Sequence, residues 1–598
     1  MALKNVKKIL QALPKPIIEE FPLFVLTLVI ASIEALRLLH GCIVAHYGLN
    51  VWIQAFRFIS IATTISYLYA ALTYYTKKRI IVSRIIRVIC YAIPIILFIT
   101  NTFLRLNFGL PLNPSYILIL GETNTREASD FLSTFLLSKN GAITSVILLV
   151  ICITCYVAEK YKPIFLKLTH KKWIGSSICC LSIPFLINGF YSISKITTIF
   201  QVNSLKQLDI WGGQNICNNA SLTDVYTNLL YSFYAPRVAQ KECHQAIKLT
   251  SNLTDTAKLN NDSLNVVLII GESYIKYHSS LYGYNLNTTP NLLRESKSKH
   301  LFAFENINTP YNTTTLVIKN LLSCNSLGHH EGWQDNPCFP AIFKKDGYKV
   351  YFWDNQNGGN FTWDFTLNSF LHNKELSEVS YTAENKDTYK LDGGLIQSFL
   401  SQHFPTSQNN FTILHLWGQH VAAKTRYPHT AQFNHFTQDS ITIKKPWLTS
   451  SMRQTIAEYD NATYYNDALI EQVINHYRKT NAVIVYLSDH GEETYDWRPS
   501  MGRNATPMCA NVLKYQFDIP FVIWCSDTYQ TKHPEIMKAI KASLHKPMSS
   551  DIICNMLFHL AGLRTKYYRP SLDILSKKYH CPKRIVLDKY NYDAIRFH

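Results

Sequence analysis

Five long apolar stretches in the first third of the chain constrain its fold more than any other feature. They cover roughly residues 21–45, 52–75, 85–106, 142–157 and 173–193. Each approaches or exceeds the ~20 residues needed to cross a bilayer as a helix. In lipid every backbone polar group must be satisfied within the chain, so stretches without strand-like alternation are expected to be helices. The positive charges sort by loop. Lys4, Lys7, Lys8 and Lys15 precede the first stretch, Lys77, Lys78, Arg79, Arg84 and Arg87 follow the second, and Lys160, Lys162, Lys167, Lys171 and Lys172 follow the fourth. The alternate loops, 48–51 and 107–139, are poor in them. Cytoplasmic loops collect Lys and Arg, so the N-terminus is expected in the cytoplasm. Five crossings then carry everything beyond about residue 195 to the far side. The first stretch is too long, and too far from a small-residue cleavage site, for a cleaved signal peptide.

This explains a composition that would otherwise mislead. The net charge of +18 suggests nucleic acid, but the positives form no basic tract interleaved with aromatics, and no nucleic-acid partner is expected. Six of the fourteen cysteines, Cys42, Cys90, Cys152, Cys155, Cys179 and Cys180, lie in or beside the apolar stretches as small apolar fillers. The other eight fall in the exported part, where an even number suggests disulfides. Cys217–Cys243 and Cys324–Cys338 are the expected local pairs.

Three regions follow: a membrane domain over 1–195, a bridge over 196–263 with interfacial helices and a polar linker, and a catalytic domain over 264–598. In the last, apolar runs at 266–270, 348–353, 411–417, 482–487 and 519–524 alternate with helical stretches. These stretches follow Thr314, precede Gly347, span 460–478 and cover 533–545. That alternation predicts a mostly parallel central sheet with helices on both faces.

Two of the strands end in chemistry. Val266–Ile270 runs into Gly271-Glu272-Ser273, and 482–487 runs into Ser488-Asp489-His490-Gly491-Glu492. Loops at the carboxyl ends of parallel strands carry the sites of α/β folds. Two such ends bearing oxygen and nitrogen donors predict one shared metal centre, with zinc fitting a mixed donor set.

The order of motifs resembles the bacterial membrane phosphoethanolamine transferases of the alkaline-phosphatase and sulfatase superfamily. The resemblance rests on Gly271-Glu272-Ser273, Leu281-Tyr282-Gly283-Tyr284, Thr288-Thr289-Pro290, Asn306-Ile307 and Leu321-Leu322-Ser323. It continues through His415-Leu416-Trp417-Gly418-Gln419-His420, Tyr459-Asp460-Asn461 with Tyr465 and Asp467, and Ser488-Asp489-His490-Gly491-Glu492. It implies an alkaline-phosphatase-like fold behind five membrane helices, and Glu272, Asp489 and His490 as zinc ligands. Counting from Leu321-Leu322-Ser323 and from Asn306-Ile307, it places the nucleophile at Thr314, also a zinc ligand, with Thr313 and Thr315 as alternatives. A threonine hydroxyl is a poor nucleophile unless a metal favours its alkoxide. The N-terminus of a helix starting at Thr315 would also favour a bound phosphate.

The resemblance further implies that His420 contacts the transferred group or a second zinc. Here the chain departs from the family pattern, because no histidine lies between His490 and His533; Arg503 is expected to serve as the phosphate contact instead. A lysine found in some members after the Asp354-Asn355 turn is also missing, with Asn360 nearby. Asn355, Lys276 and His278 complete the expected substrate contacts.

The reaction implied moves phosphoethanolamine from phosphatidylethanolamine to lipid A, a lipopolysaccharide core sugar or another periplasmic glycan, with a slight lean toward the core-modifying branch. It proceeds through a phosphothreonine intermediate in an enzyme of the inner membrane. Two other enzymes compete with this reading. A membrane-anchored sulfatase needs a C/S-x-P-x-R signature, which is absent after Glu272. A glycerol-phosphate transferase would use the same threonine. A non-catalytic membrane scaffold would have no need of donors at strand ends.

Overall fold

The computed structural model describes residues 14–45, 50–108, 111–114, 116–117, 139–215, 224–253, 263–356, 370–420, 422–503, 505 and 507–597. The chain divides into two compact units, Met1–Ala239 and Gln240–His598. The stretch expected as a bridge is thus shared between them.

The first unit is helical. Its long helices are α1 (Phe21–Ala45), α2 (Asn50–Thr76), α3 (Ile80–Phe108), α4 (Lys139–Lys160) and α5 (Lys172–Ile196). Among the described residues four are long and apolar enough to cross a membrane: Trp52–Thr76, Ile80–Asn107, Lys139–Lys160 and Trp173–Gln201. The first helix counts only as the shorter apolar stretch Phe21–Ile33. The stretch at 142–157 extends to a 22-residue helix, α4, which leaves Val146, Leu149, Val150 and Ile153 exposed, as a lipid-facing helix would. Small residues let α5 meet α2 closely. A Cβ on Gly189 would lie 2.0 Å from Thr64 Oγ1 and 2.3 Å from Ser60 O. Asn188 donates to Ser60 Oγ beside it at 3.0 Å. At one end of the bundle, Arg87 donates to Glu20 at 2.8 Å and to Glu159 at 2.7 Å, and Lys162 also pairs with Glu20.

The helix α6 (Val225–Ser251) runs across the boundary into the second unit. There a seven-stranded sheet forms from β1 (Asn265–Gly271), β2 (Leu301–Ala303), β3 (Lys349–Asp354), β4 (Ala383–Glu384), β5 (Asn410–His415), β6 (Ala482–Ser488) and β7 (Phe521–Cys525). Their order is β2-β7-β6-β1-β5-β3-β4. All the pairings from β6 to β4 are parallel; β7 runs antiparallel to both β6 and β2. The central strands β1 and β6 are buried along their whole length, as continuous apolar runs in a doubly covered sheet must be. Val267, Ile269, Ile484 and Tyr486 pack on Tyr459, Leu469 and Val473 of α8 (Ser450–Tyr477). That helix begins ten residues before the expected position, because Thr449 caps it by accepting the Met452 N–H at 3.2 Å.

The expected Cys324–Cys338 bridge does not form. Both thiols are free and buried, and the Cys324 thiol instead faces that of Cys554. Cys217 lies outside the described residues, and the Cys217–Cys243 pairing with it. So do Asn360 and most of the loop 107–139.

Candidate metal and phosphoryl-transfer site

Strand register builds the site. Ile270 of β1 lies opposite Leu487, and Gly271 opposite Ser488, so Glu272 and Asp489 leave neighbouring strands side by side. The turn after β1 is tight. Ser273 sits at φ +57°, a region that costs a non-glycine residue about 1–3 kcal/mol and persists only when its surroundings fix it. Here they do. The Ser273 N–H donates to Asp489 Oδ1 at 3.1 Å, and Tyr274 N–H to Ser488 Oγ at 2.9 Å. Tyr459 Oη donates to Ser273 O at 2.6 Å and accepts from Ile275 N–H at 2.7 Å. On the other side of β1, Gly418 at φ +48° brings the loop after β5 against Glu272, and Gln419 N–H donates to Glu272 O at 3.0 Å.

Thr314 arrives from a third direction, at the start of α7 (Thr314–Leu321), with Thr313 as the extended residue before it. Its hydroxyl donates to Glu272 Oε2 at 2.9 Å and lies 3.3 Å from His490 Nε2. The same Nε2 is 3.1 Å from Asp489 Oδ2 and 3.4 Å from Glu272 Oε1. Glu272, Asp489 and His490 are fully buried, and one ligand atom from each falls within 4.8 Å of the others.

The donor set fits a cation. His490 Nδ1 faces Gly491 O at 3.0 Å, which makes Nδ1 the protonated nitrogen and leaves the Nε2 lone pair facing the carboxylates. Burial, and the Arg503 guanidinium beside it, lower the imidazole to about 3, so it is neutral. Asp489 Oδ2 is buried with no hydrogen-bond donor. Burial and the adjacent Glu272 carboxylate push Asp489 well up. Burial also opposes ionisation of Glu272, but the His490, His420 and Arg503 side chains outweigh it and hold that carboxyl low. Two buried carboxylates and an imidazole lone pair converge where only a positive charge would let all three donate. Carboxylate oxygens with one imidazole nitrogen suit zinc.

Arg503 reaches the same place, its Nη1 2.6 Å from His490 Nε2, so the guanidinium and a bound cation compete for the same lone pair. His420 stands close enough for its charge to act on Glu272 and Glu492, with its ring against Trp417. Arg426 holds this loop, stacking 4.4 Å over Trp417 and donating to His420 O at 3.1 Å.

Three expected contacts are turned away. The Lys276 ammonium donates to Glu305 O and lies between the rings of Tyr277 and Tyr282. His278 uses both nitrogens, Nδ1 with Asp460 at 2.7 Å and Nε2 with Asp496 at 3.0 Å. Asn355 donates to Asp392 at 2.8 Å and accepts from Tyr389 N–H at 2.7 Å. The physical reason is shared: each is close in sequence to a strand end, but the turn that follows directs it into the packed layer beside the site.

A further residue of the Ser488–Glu492 motif belongs to the site. Glu492 is buried beside the centre, Oε2 has no hydrogen-bond donor, and burial raises its carboxyl against the pull of Arg503 and His420. Its position two residues past His490 was the available signal.

Comparison with known proteins agrees with this frame. Phosphoethanolamine transferase EptC of Escherichia coli RS218 is 24% identical over 498 residues, 82% of each chain. Phosphoethanolamine transferase EptA of Helicobacter pylori is 29% identical over 334 residues, 52% of this chain and 57% of that one. Among solved structures, the zinc complex of the C-terminal periplasmic domain of E. coli EptC is 24% identical and covers 57% of this chain and 98% of that one, with a TM-score of 0.48. The Sulfatase family model matches residues 264–563, half of the chain, and the protein belongs to that family.

Proposed function

We propose that the protein is a membrane-anchored phosphoethanolamine transferase. In this reading it takes the group from phosphatidylethanolamine and passes it to lipopolysaccharide, at lipid A or a core sugar, or to another periplasmic glycan. The observation that carries the reading is the Thr314 hydroxyl held between Glu272 Oε2 and His490 Nε2 at the N-terminus of a helix. Curated relatives named phosphoethanolamine transferases, including a Kdo(2)-lipid A phosphoethanolamine 7''-transferase of E. coli, support the identity of the transferred group and a lipopolysaccharide acceptor.

Glu272, Asp489, His490 and the Thr314 oxygen would hold a zinc ion, which when bound supplies Lewis acidity that favours the threonine alkoxide. The chain's own residues do the rest. Glu272 accepts the hydroxyl hydrogen and aims Oγ. Thr314 Oγ attacks phosphorus as its proton leaves, the bond from phosphorus to the diacylglycerol oxygen breaks, and that same proton goes to the departing alkoxide. Arg503, backed by the helix N-terminus of α7, meets the negative charge on the phosphoryl oxygens. An acceptor hydroxyl or phosphate then displaces Thr314 from phosphorus, returning the free threonine.

The membrane unit gives access to a bilayer donor. The positive loops argue for a cytoplasmic N-terminus in the inner membrane and a periplasmic catalytic unit. Mass spectrometry of lipid A and core oligosaccharide, from cells carrying the unmutated protein or Thr314→Ala, tests the reading. Phosphoethanolamine is expected on one of these acceptors only with the unmutated protein. Its absence from both would turn the reading toward another glycan acceptor or a different transferred group.

A further inference from the structure

Two residues beyond the end of β3, Gln356 is buried, and its side-chain amide spends its hydrogens on two strand ends. Nε2 donates to Glu272 Oε2 at 3.1 Å and to Leu416 O at 2.8 Å. One contact lies just past β1 and the other just past β5. The Glu272 oxygen it meets is the one that accepts from the Thr314 hydroxyl. The other oxygen, Oε1, accepts from Ser273 Oγ at 2.7 Å. The glutamine is itself anchored. Its backbone N–H donates to Asp354 Oδ1 at 2.8 Å, and Asp354 also holds His415 Nδ1 and His372 Nε2, each at 2.8 Å.

We propose that Gln356 is a positioning residue for the metal ligand Glu272. Its amide fixes the carboxylate torsion so that Oε2 stays under the threonine hydroxyl while the group faces Asp489 and His490. The side-chain type matches the task. A neutral donor orients the carboxylate and leaves its full negative charge for the cation. A lysine there would neutralise it, and a glutamate would repel it. Partners that orient a ligating carboxylate typically change metal affinity 10–100-fold when lost. The inference rests on the metal reading of the site, because its effect is exerted through Glu272.

The test uses the full chain in detergent, stripped with a chelator and titrated with zinc against a chromophoric competitor. Kinetics with phosphatidylethanolamine accompany it. Gln356→Met keeps the length and removes the donor. Gln356→Glu keeps the shape and reverses the interaction. Both should weaken zinc binding, by about 10–100-fold for Gln356→Met and more for Gln356→Glu. Turnover should recover in saturating zinc, with KM for the lipid unchanged. Thermal unfolding of the stripped proteins shows whether each variant is folded, and Gln356→Glu serves if Gln356→Met is not. Zinc affinity within about twofold of the unmutated protein in a folded variant would overturn the proposal, as would a raised KM at unchanged zinc affinity. Failure of the unmutated protein to bind zinc would overturn the metal reading first, and it is distinguishable because no substitution is involved.

Discussion

The Thr314 hydroxyl donates to Glu272 Oε2 across 2.9 Å, although the two residues are 42 positions apart and belong to a helix start and a strand end. This contact joins the two halves of the proposed chemistry, a nucleophile and a metal-binding carboxylate. Glu272→Gln preserves the size of the side chain and removes its charge. Zinc binding should be lost, and turnover should fall by at least ~10²-fold, the scale of removing one electrostatic stabiliser from an active site. Thermal unfolding without metal should change little, because a buried carboxylate beside Asp489 is replaced by a neutral amide. The checks are zinc content by elemental analysis and calorimetry on the stripped protein.

Gly418 controls how closely the loop after β5 approaches that carboxylate. A Cβ at this position would lie 2.7 Å from Glu272 O and 2.8 Å from Glu272 N, both backbone atoms that cannot swing aside. The positive φ adds its own cost. Gly418→Ala is expected to destabilise the catalytic unit by about 1–3 kcal/mol and to lower zinc affinity through the displaced Glu272. Denaturant unfolding and zinc titration read the two effects separately.

The buried His278 gives the fold an alkaline limit. Burial alone would lower its pKa, but Asp460 and Asp496 outweigh that and raise it to about 10. The tyrosines Tyr284 and Tyr459 close the remaining sides of the ring, and Lys445 lies beyond Asp496. The folded value is above the unfolded one of about 6.5. The stabilisation is therefore complete below about pH 6.5 and is lost as pH rises toward about 10. Denaturation midpoints should fall across that window. In His278→Gln they should be lower at pH 6.5 and flatter above it. A wild-type profile that is flat from pH 6.5 to 10 would remove the charged histidine from the account.

The same cluster shows where sequence reading succeeds and where it stops. The strand ends at Glu272 and Asp489 were legible because β1 and β6 are continuous apolar runs, and a doubly buried parallel strand has no alternative pattern. The edge strands β2 and β4, three and two residues long, carry too little pattern to be seen. Lys276 and His278 follow Glu272 closely in sequence, which is the only signal that associates them with the site. What turns them away is the left-handed backbone at Ser273, together with a tyrosine almost two hundred residues downstream, and neither leaves a local signature. Gln356 was invisible for the opposite reason. Its role comes from a partner 84 residues back, and a lone glutamine after an Asp-Asn turn has no distinguishing chemistry. Arg503 stands out because a histidine is missing, and it reaches His490 across a separation of thirteen positions.

The most direct measurement of the central claim is a search for the covalent intermediate. Purified full-length protein would be incubated with phosphatidylethanolamine in the absence of acceptor, quenched in acid, digested and analysed by mass spectrometry. The account predicts phosphoethanolamine on the peptide containing Thr314, located to that residue by fragmentation. It should be absent from Thr314→Ala and from Glu272→Gln, and lost on adding lipopolysaccharide. Modification of Thr313 or Thr315 in place of Thr314, or transfer to acceptor that persists in Thr314→Ala, would contradict it.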